Sequence, residues 1–160
     1  MFSFMRNRDQ YILPGGGMEP EETPQECAER ECLEELGLGI LASEPVGIVR
    51  EYYDGILRYE NLYQMAELTG LRKIPQRTDE ELSLGLQERW LPVESTPATL
   101  LQVSVHLMPQ EYQENHVQRA IANCHMRELL GISAVLDWPW EPIAAHRTGH
   151  EGIEVTLGNS

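Results

Sequence analysis

The chain has 160 residues, 41% of them hydrophobic and 24% charged, which suits one globular domain with a real core. A formal net charge of −14 argues against nonspecific nucleic-acid binding, which needs a basic footprint. No apolar run approaches the roughly 20 residues of a membrane span, and the first residues do not read as a signal peptide. Cys27, Cys32 and Cys124 form no Cys-x-x-Cys pair, so they are expected to be small core residues in a reducing cytoplasm rather than zinc ligands.

Residues 1–13 read as a strand and a turn: Phe2, Phe4 and Met5 are apolar, 6–10 forms a connection, and Tyr11, Ile12 and Leu13 resume an extended run. Gly15, Gly16 and Gly17 then free the backbone to turn sharply and approach a ligand. Thr23, Pro24 and Glu26 combine an N-cap, a proline at the first helical position and the acid of a capping box. The pattern predicts a helix over 24–36, with Gly37 taking the left-handed exit. On it Ala28, Cys32 and Leu36 make an apolar stripe facing the core. Glu31, Glu34 and Glu35 fall within an arc of about 100°. Three carboxylates so close repel one another unless a cation sits among them. Arg30 sits beside them, within reach of Glu34 at i+4 or Glu26 at i−4.

Strands are predicted over 46–53 and 57–67, joined by the hairpin signal Asp54-Gly55, with Leu57, Tyr59, Tyr63 and Met65 largely on one face. Residues 70–79 read as a loop and 84–93 as a third strand in which Trp90 is a core residue. Ser95, Thr96 and Pro97 look like a helix start leading into 98–105. A second long helix is predicted over 111–130, with Val117, Ile121 and Cys124 at helical spacing and Gly131 as its stop. A C-terminal tail, 136–160, holds Trp138, Pro139 and Trp140 and a weak strand at 153–157. Trp138 and Trp140 either pack the tail onto the domain or form a self-association patch. No internal repeat or interdomain linker is visible, so 1–160 reads as a single domain.

Gly16, Glu22, Arg30, Glu31, Cys32, Glu34, Glu35, Gly37 and Leu38 together resemble a complete Nudix box, and the lead-in Leu13-Pro14-Gly15-Gly16 is similar to that family too. The resemblance covers about 25 residues and is highly specific. It implies an α/β fold, the Nudix α/β/α sandwich, with a mixed β-sheet and a loop–helix–loop motif. The implied activity is hydrolysis, dependent on Mg2+ or Mn2+, of a nucleoside diphosphate linked to another moiety. Water attacks phosphorus and cleaves the pyrophosphate. The chemistry is consistent with this, because divalent ions neutralise a pyrophosphate and activate water, and magnesium takes oxygen ligands.

Carried over residue by residue, Glu34 and Glu35 are expected to bind metal, with the Gly15 carbonyl as a further ligand. Glu31 is a metal ligand or the general base. Arg30 orients a glutamate through a salt bridge, Glu22 braces the loop against the helix, and Gly16 and Gly37 are backbone devices. Glu26 and Glu29 read as solvated acids. Many family members recruit another carboxylate from downstream; Glu80, Glu81 and Glu88 are candidates, with Glu81 preferred. Tyr52 and Tyr53 lie where some relatives place a substrate-selecting aromatic, and Tyr53 is the candidate contact. His106, His116, His125, His146 and His150 show no ligand spacing and read as structural or surface residues.

Family members usually carry one more strand before the segment resembling 2–6. Either the native chain begins earlier, or a neighbour or the 153–157 tail fills that sheet edge, and filling by a neighbour would make a homodimer. The alternative function is a non-catalytic Nudix domain that senses a nucleotide or ADP-ribose-like ligand; such domains tend to have eroded boxes. An isopentenyl-isomerase-like activity would need Cys and Glu groups in an arrangement absent from this sequence. The expected partner is a small nucleotide-type pyrophosphate, with no nucleic acid and no membrane.

Overall fold

The computed structural model describes residues 2–5, 10–96, 98–100, 116–117, 120, 124–136 and 153–157. The chain divides into two compact units, Met1–Pro45 with Gln64–Leu91, and Val46–Tyr63 with Pro92–Ser160. Helices and strands are interspersed along the chain, as an α/β protein requires.

In the first unit, β1 (Phe2–Met5) is the middle of a three-stranded sheet, flanked by β2 (Gln10–Ile12) and β5 (Leu86–Arg89). Both pairings are antiparallel, Phe4 lying opposite Tyr11 on one side and Gln87 on the other. Helix α1 (Pro24–Leu36) starts where the capping box predicts. The Glu26 amide donates to Thr23 Oγ1 at 3.3 Å, and the Thr23 amide donates to Glu26 Oε2 at 2.9 Å. Such a cap contributes about 1 kcal/mol. The helix ends at Gly37, whose φ of 70° is left-handed. A side chain there would be strained and would also run into the Lys73 carbonyl. Cys32, Leu36 and Leu38 form the buried cluster behind the helix, with Ile40 packed against it. Burial raises the Cys32 thiol to about 11, so it stays protonated and inert at neutral pH.

Strands β3 (Leu38–Tyr53) and β4 (Ile56–Arg72) form a long hairpin turned by Asp54 and Gly55, with φ of 56° and 71°. Two consecutive positive φ values are the signature of the tight hairpin turn expected of Asp-Gly. In the second unit β6 (Ile153–Leu157) pairs antiparallel along β3, from Gly47 opposite Leu157 to Glu51 opposite Ile153. Helix α3 (Cys124–Leu136) packs on β6.

Several expectations are corrected. β3 begins at Leu38 and β4 continues to Arg72, so both strands outrun their predicted spans of 46–53 and 57–67. The predicted strand over 84–93 is only Leu86–Arg89, preceded by helix α2 (Asp79–Leu84), which shortens the predicted loop over 70–79. Trp90 is 52% exposed rather than in the core, and on the predicted apolar face of β4 Tyr63 is buried but Leu57 and Met65 are exposed. Val117 is also exposed. Val93–Ser95 is a short 3-10 turn, and 98–100 is helical as expected. Residues 6–9, 101–115, 121–123 and 137–152 lie outside the described residues, and with them His106, Ile121, Trp138, Pro139, Trp140, His146 and His150.

Gly131 does not stop a helix; it lies inside α3. A Cβ at this position would collide with the ring of Tyr63, which is buried. The glycine is therefore a contact surface for the aromatic ring. Gly131→Ala gains about 1 kcal/mol of helix propensity, but forcing a methyl into a filled core site costs about 1–3 kcal/mol. Because the obstructing atoms belong to a buried ring, overpacking should win. Urea denaturation of Gly131→Ala is expected to show a lower midpoint than wild type, and an equal or higher midpoint contradicts this account of the contact.

Candidate active site

The acidic face of α1 is organised by Arg30. Its Nε donates to Glu22 Oε1 at 2.8 Å and its Nη2 to Glu22 Oε2 at 3.0 Å, a two-point fork. Nη1 reaches Glu31 Oε1 at 2.7 Å and Glu34 Oε2 at 3.2 Å. Nη2 also donates to the Gly17 carbonyl at 3.1 Å. One guanidinium thus joins the glycine loop, Glu22 and two of the three helix glutamates. Of the two partners anticipated for Arg30, Glu34 is engaged, whereas Glu26 is occupied by its cap. Glu29 accepts from the Ala42 amide at 3.1 Å, so it is a link to β3 rather than the purely solvated acid expected.

The loop backbone lies directly against the helix. A Cβ on Gly16 would overlap the Glu31 carboxylate, whereas one on Gly15 would meet nothing. Glycine at 16 is therefore a matter of close approach. Glu22 accepts from the Glu19 amide at 2.8 Å, which ties the far end of the loop to the same arginine. Gly15 is exposed, the Glu34 side chain is 44% exposed, the Glu31 side chain is 12% exposed, and Glu35 is buried.

Hydrogen bonds from Arg30, then from the Glu19 amide, hold the Glu22 carboxyl down at about 2. The same contacts, Glu22 first and Glu31 next, push the Arg30 guanidinium further up, so it stays charged throughout. Carboxylate oxygens and loop carbonyls are hard donors, and that chemistry fits a hard divalent ion such as Mg2+ or Mn2+. Among the described residues no three His, Cys, Asp or Glu groups already converge as a metal cluster. Glu31 and Glu34 are both turned onto Arg30 instead.

Other anticipated residues have different surroundings. Glu81 is the third residue of α2 and accepts from the Thr78 amide at 2.6 Å and the Thr78 hydroxyl at 2.8 Å, a second capping box. Glu88 accepts from Trp90 Nε1 and from Arg72 Nη1 at 3.0 Å, contacts that lower its carboxyl, Trp90 first. The side chains of Glu80 and His125 lie outside the described residues. Tyr53 is buried and donates its hydroxyl to Glu51 Oε2 at 2.7 Å. His116 lies near the ring of Tyr59, with centroids 6.4 Å apart.

Two groups of residues were not picked out from the sequence. Gln76 and Arg77 follow β4 and contact the end of α1. The second is a buried network in the second unit. Glu51, fully buried, accepts from Tyr53, from Asn61 Nδ2 at 3.0 Å and from Arg127 Nη1 at 3.2 Å. Arg127 Nη2 also meets Glu128 at 3.2 Å, and Tyr63 donates to Glu128 at 3.3 Å. Burial pushes the Glu128 carboxyl up against the pull of Arg127. No local signal could have revealed a pair 76 positions apart. The Thr78-to-Glu81 spacing, by contrast, was a visible cap signature.

The Glu22 pairing has a defined acid limit. Its folded-state value of about 2 lies below the ordinary 4.5, so the stabilisation is fully present above about 4.5 and is lost as pH falls towards 2. Glu22→Gln should lower the thermal midpoint at neutral pH and flatten the acid decline across that window. Melting curves taken from pH 7 to pH 2 test this, and parallel declines for the two proteins would count against the pairing.

Comparison with known proteins gives a consistent answer. A NUDIX domain family model matches residues 4–110. The chain is 33% identical over 94 residues to diphosphoinositol polyphosphate phosphohydrolase NUDT4B of Homo sapiens, covering 59% of this chain and 49% of that protein. It is 32% identical over 95 residues to diphosphoinositol polyphosphate phosphohydrolase 3-alpha of Mus musculus, covering 59% of this chain and 54% of that protein. It is 31% identical over 94 residues to diphosphoinositol polyphosphate phosphohydrolase 2 of Pongo abelii, covering 59% and 49%. The chain thus spans about half the length of the curated relatives it matches. No solved structure gives a significant match. The family match takes in more than half of the chain, including the glycine loop and α1 with its arginine-bound glutamates, and the chain belongs to the NUDIX domain family.

Proposed function

We propose that this domain hydrolyses the pyrophosphate linkage of a small anionic substrate, a nucleoside diphosphate joined to another moiety, using Mg2+ or Mn2+. The observation that carries the reading is the placement of Glu31 and Glu34 on one guanidinium, beside a glycine loop that lies against Glu31. The names of the relatives, diphosphoinositol polyphosphate phosphohydrolases, favour a second substrate class, a diphosphoinositol polyphosphate, for the same chemistry. We also infer that the whole domain adopts the α/β/α sandwich with a mixed sheet. The three cysteines, all buried free thiols, support a reducing cytoplasm.

Glu31, Glu34, Glu35 and the Gly15 carbonyl would hold the divalent ion. When bound, that ion neutralises phosphate charge and makes water a stronger nucleophile. Arg30 limits the repulsion among the carboxylates and fixes the Glu31 side chain, which meets it at 2.7 Å. Glu31, close under the loop, takes the water proton or serves as a ligand. Glu22 anchors Arg30 from the loop side and so keeps the guanidinium from drifting towards substrate.

Glu34→Gln and Glu35→Gln keep the size of the side chain and remove its charge. A bound ion supplies several kcal/mol of transition-state stabilisation, and each 1.4 kcal/mol or so is a decade of rate. Each variant should therefore lose about 100-fold or more in kcat, with product release followed on a panel of nucleotide sugars, ADP-ribose, dinucleoside polyphosphates, oxidised nucleotides and diphosphoinositol polyphosphates. Chelation should abolish turnover and added Mg2+ or Mn2+ should restore it. Wild-type turnover in both variants would refute the metal assignment. Ligand binding without product release would identify a sensor domain instead.

A further inference from the structure

An α-helix ends with four carbonyls that have no partner within it. On α1 they belong to Leu33, Glu34, Glu35 and Leu36. The Gly37 amide reaches the Leu33 carbonyl at 3.0 Å. The next two carbonyls belong to the residues whose side chains form the proposed site, and both are met from outside the helix. The Gln76 amide donates to the Glu34 carbonyl at 2.8 Å. Arg77 Nε donates to the Glu35 carbonyl at 2.7 Å. Arg77 Nη1 then donates at 2.8 Å to the carbonyl of Leu86, the first residue of β5. The same segment is pinned at the residue directly after β4, where the Lys73 amide donates to the Gly37 carbonyl at 2.8 Å.

The electrostatics point the same way. The last turn of α1 contains no basic residue. Glu34 and Glu35 therefore sit near the negative end of the helix dipole without a cation of their own helix in that turn. Arg77 brings a permanent positive charge to that end from another part of the chain. Its planar fork answers two carbonyls on two elements at once, which a lysine ammonium on a flexible stem does less well.

We infer that Arg77 is a positioning residue. Together with Gln76 it clamps the backbone of Glu34 and Glu35 and thereby sets the spacing at which their carboxylates meet a divalent ion. The inference rests on the reading of these two glutamates as the metal-binding pair. Arg77 acts through their backbone and touches neither ion nor substrate. Magnesium demands near-ideal geometry, and groups that orient ligands typically change metal affinity by 10- to 100-fold.

The test is a Mn2+ titration of the full chain, with the free ion followed by electron paramagnetic resonance and folding checked by circular dichroism at the same temperature. Glu34→Gln and Glu35→Gln define loss of the site. Arg77→Ala is expected to weaken Mn2+ binding roughly 10- to 100-fold. Arg77→Lys should recover part of that loss. Arg50→Ala, which breaks the surface pair with Glu60, should bind as wild type does. Gln76→Pro, at an exposed position, removes the amide on the Glu34 carbonyl while also fixing φ at 76 and restricting Pro75, and should also weaken binding. If Arg77→Ala does not fold, Gln76→Pro and Arg77→Lys carry the test. Wild-type affinity in a folded Arg77→Ala or Gln76→Pro protein, alongside loss in the glutamate variants, overturns the clamp. Unchanged affinity in the glutamate variants overturns the site reading instead.

Discussion

The structure around the site depends on one charge balance. Three carboxylates, Glu22, Glu31 and Glu34, share the guanidinium of Arg30, which leaves a formal excess of two negative charges at neutral pH. At the spacing of adjacent helical turns such an excess is repulsive, and water screens it only partly where side chains are half-buried. Arg30 lies among the acids and offsets part of their repulsion. One monovalent cation does not neutralise all three. That residual charge is what the proposed divalent ion would offset.

Everything near this balance fixes a distance. The capping box fixes the start of α1 and Gly37 fixes its end, so the side chains of Arg30, Glu31 and Glu34 have a set phase. Gly16 lets the loop lie on Glu31, and Glu22 with the Glu19 amide closes the loop onto Arg30. These are inexpensive devices individually, about 1 kcal/mol for a cap, yet each removes a freedom that the charged groups would otherwise use to move apart. Order at the site comes from local geometry, and the buried cluster of Cys32, Leu36 and Leu38 supports it from behind.

That locality explains what the sequence revealed. The helix from Pro24 to Leu36, its two caps and the contact between Arg30 and Glu34 were legible, because each depends on residues within a few positions. The Asp54-Gly55 turn was legible for the same reason. The first half of β3 was not, since Gly39 and Pro45 weaken any strand signal and pairing with β4 is decided at long range. Helix α2 carries a legible cap signal, because the spacing of Thr78 and Glu81 repeats that of Thr23 and Glu26. Gly131 was misread because a helix stop and a contact for a ring look identical in sequence, and only Tyr63 distinguishes them.

Burial alone would point to a different carboxylate, Glu51. Glu51 has no exposure, and beside it stand Arg127 and Glu128, so it has the features usually sought in a functional acid. Its oxygens, however, are already answered by Tyr53, Asn61 and Arg127, and an acid so satisfied has little left to offer a ligand. Removing one of those partners would strand a buried charge, which is why such networks serve to fix packing. Glu34 is the opposite case: nearly half its side chain faces solvent, and its contact with Arg30 is the longest of that arginine's ion pairs. A cation site needs carboxylate oxygens with spare capacity held in place by something other than their own hydrogen bonds. On α1 the backbone of Glu34 and Glu35 is held through the caps and through Gln76 and Arg77, while the Glu34 carboxylate meets Arg30 at 3.2 Å with its side chain 44% exposed.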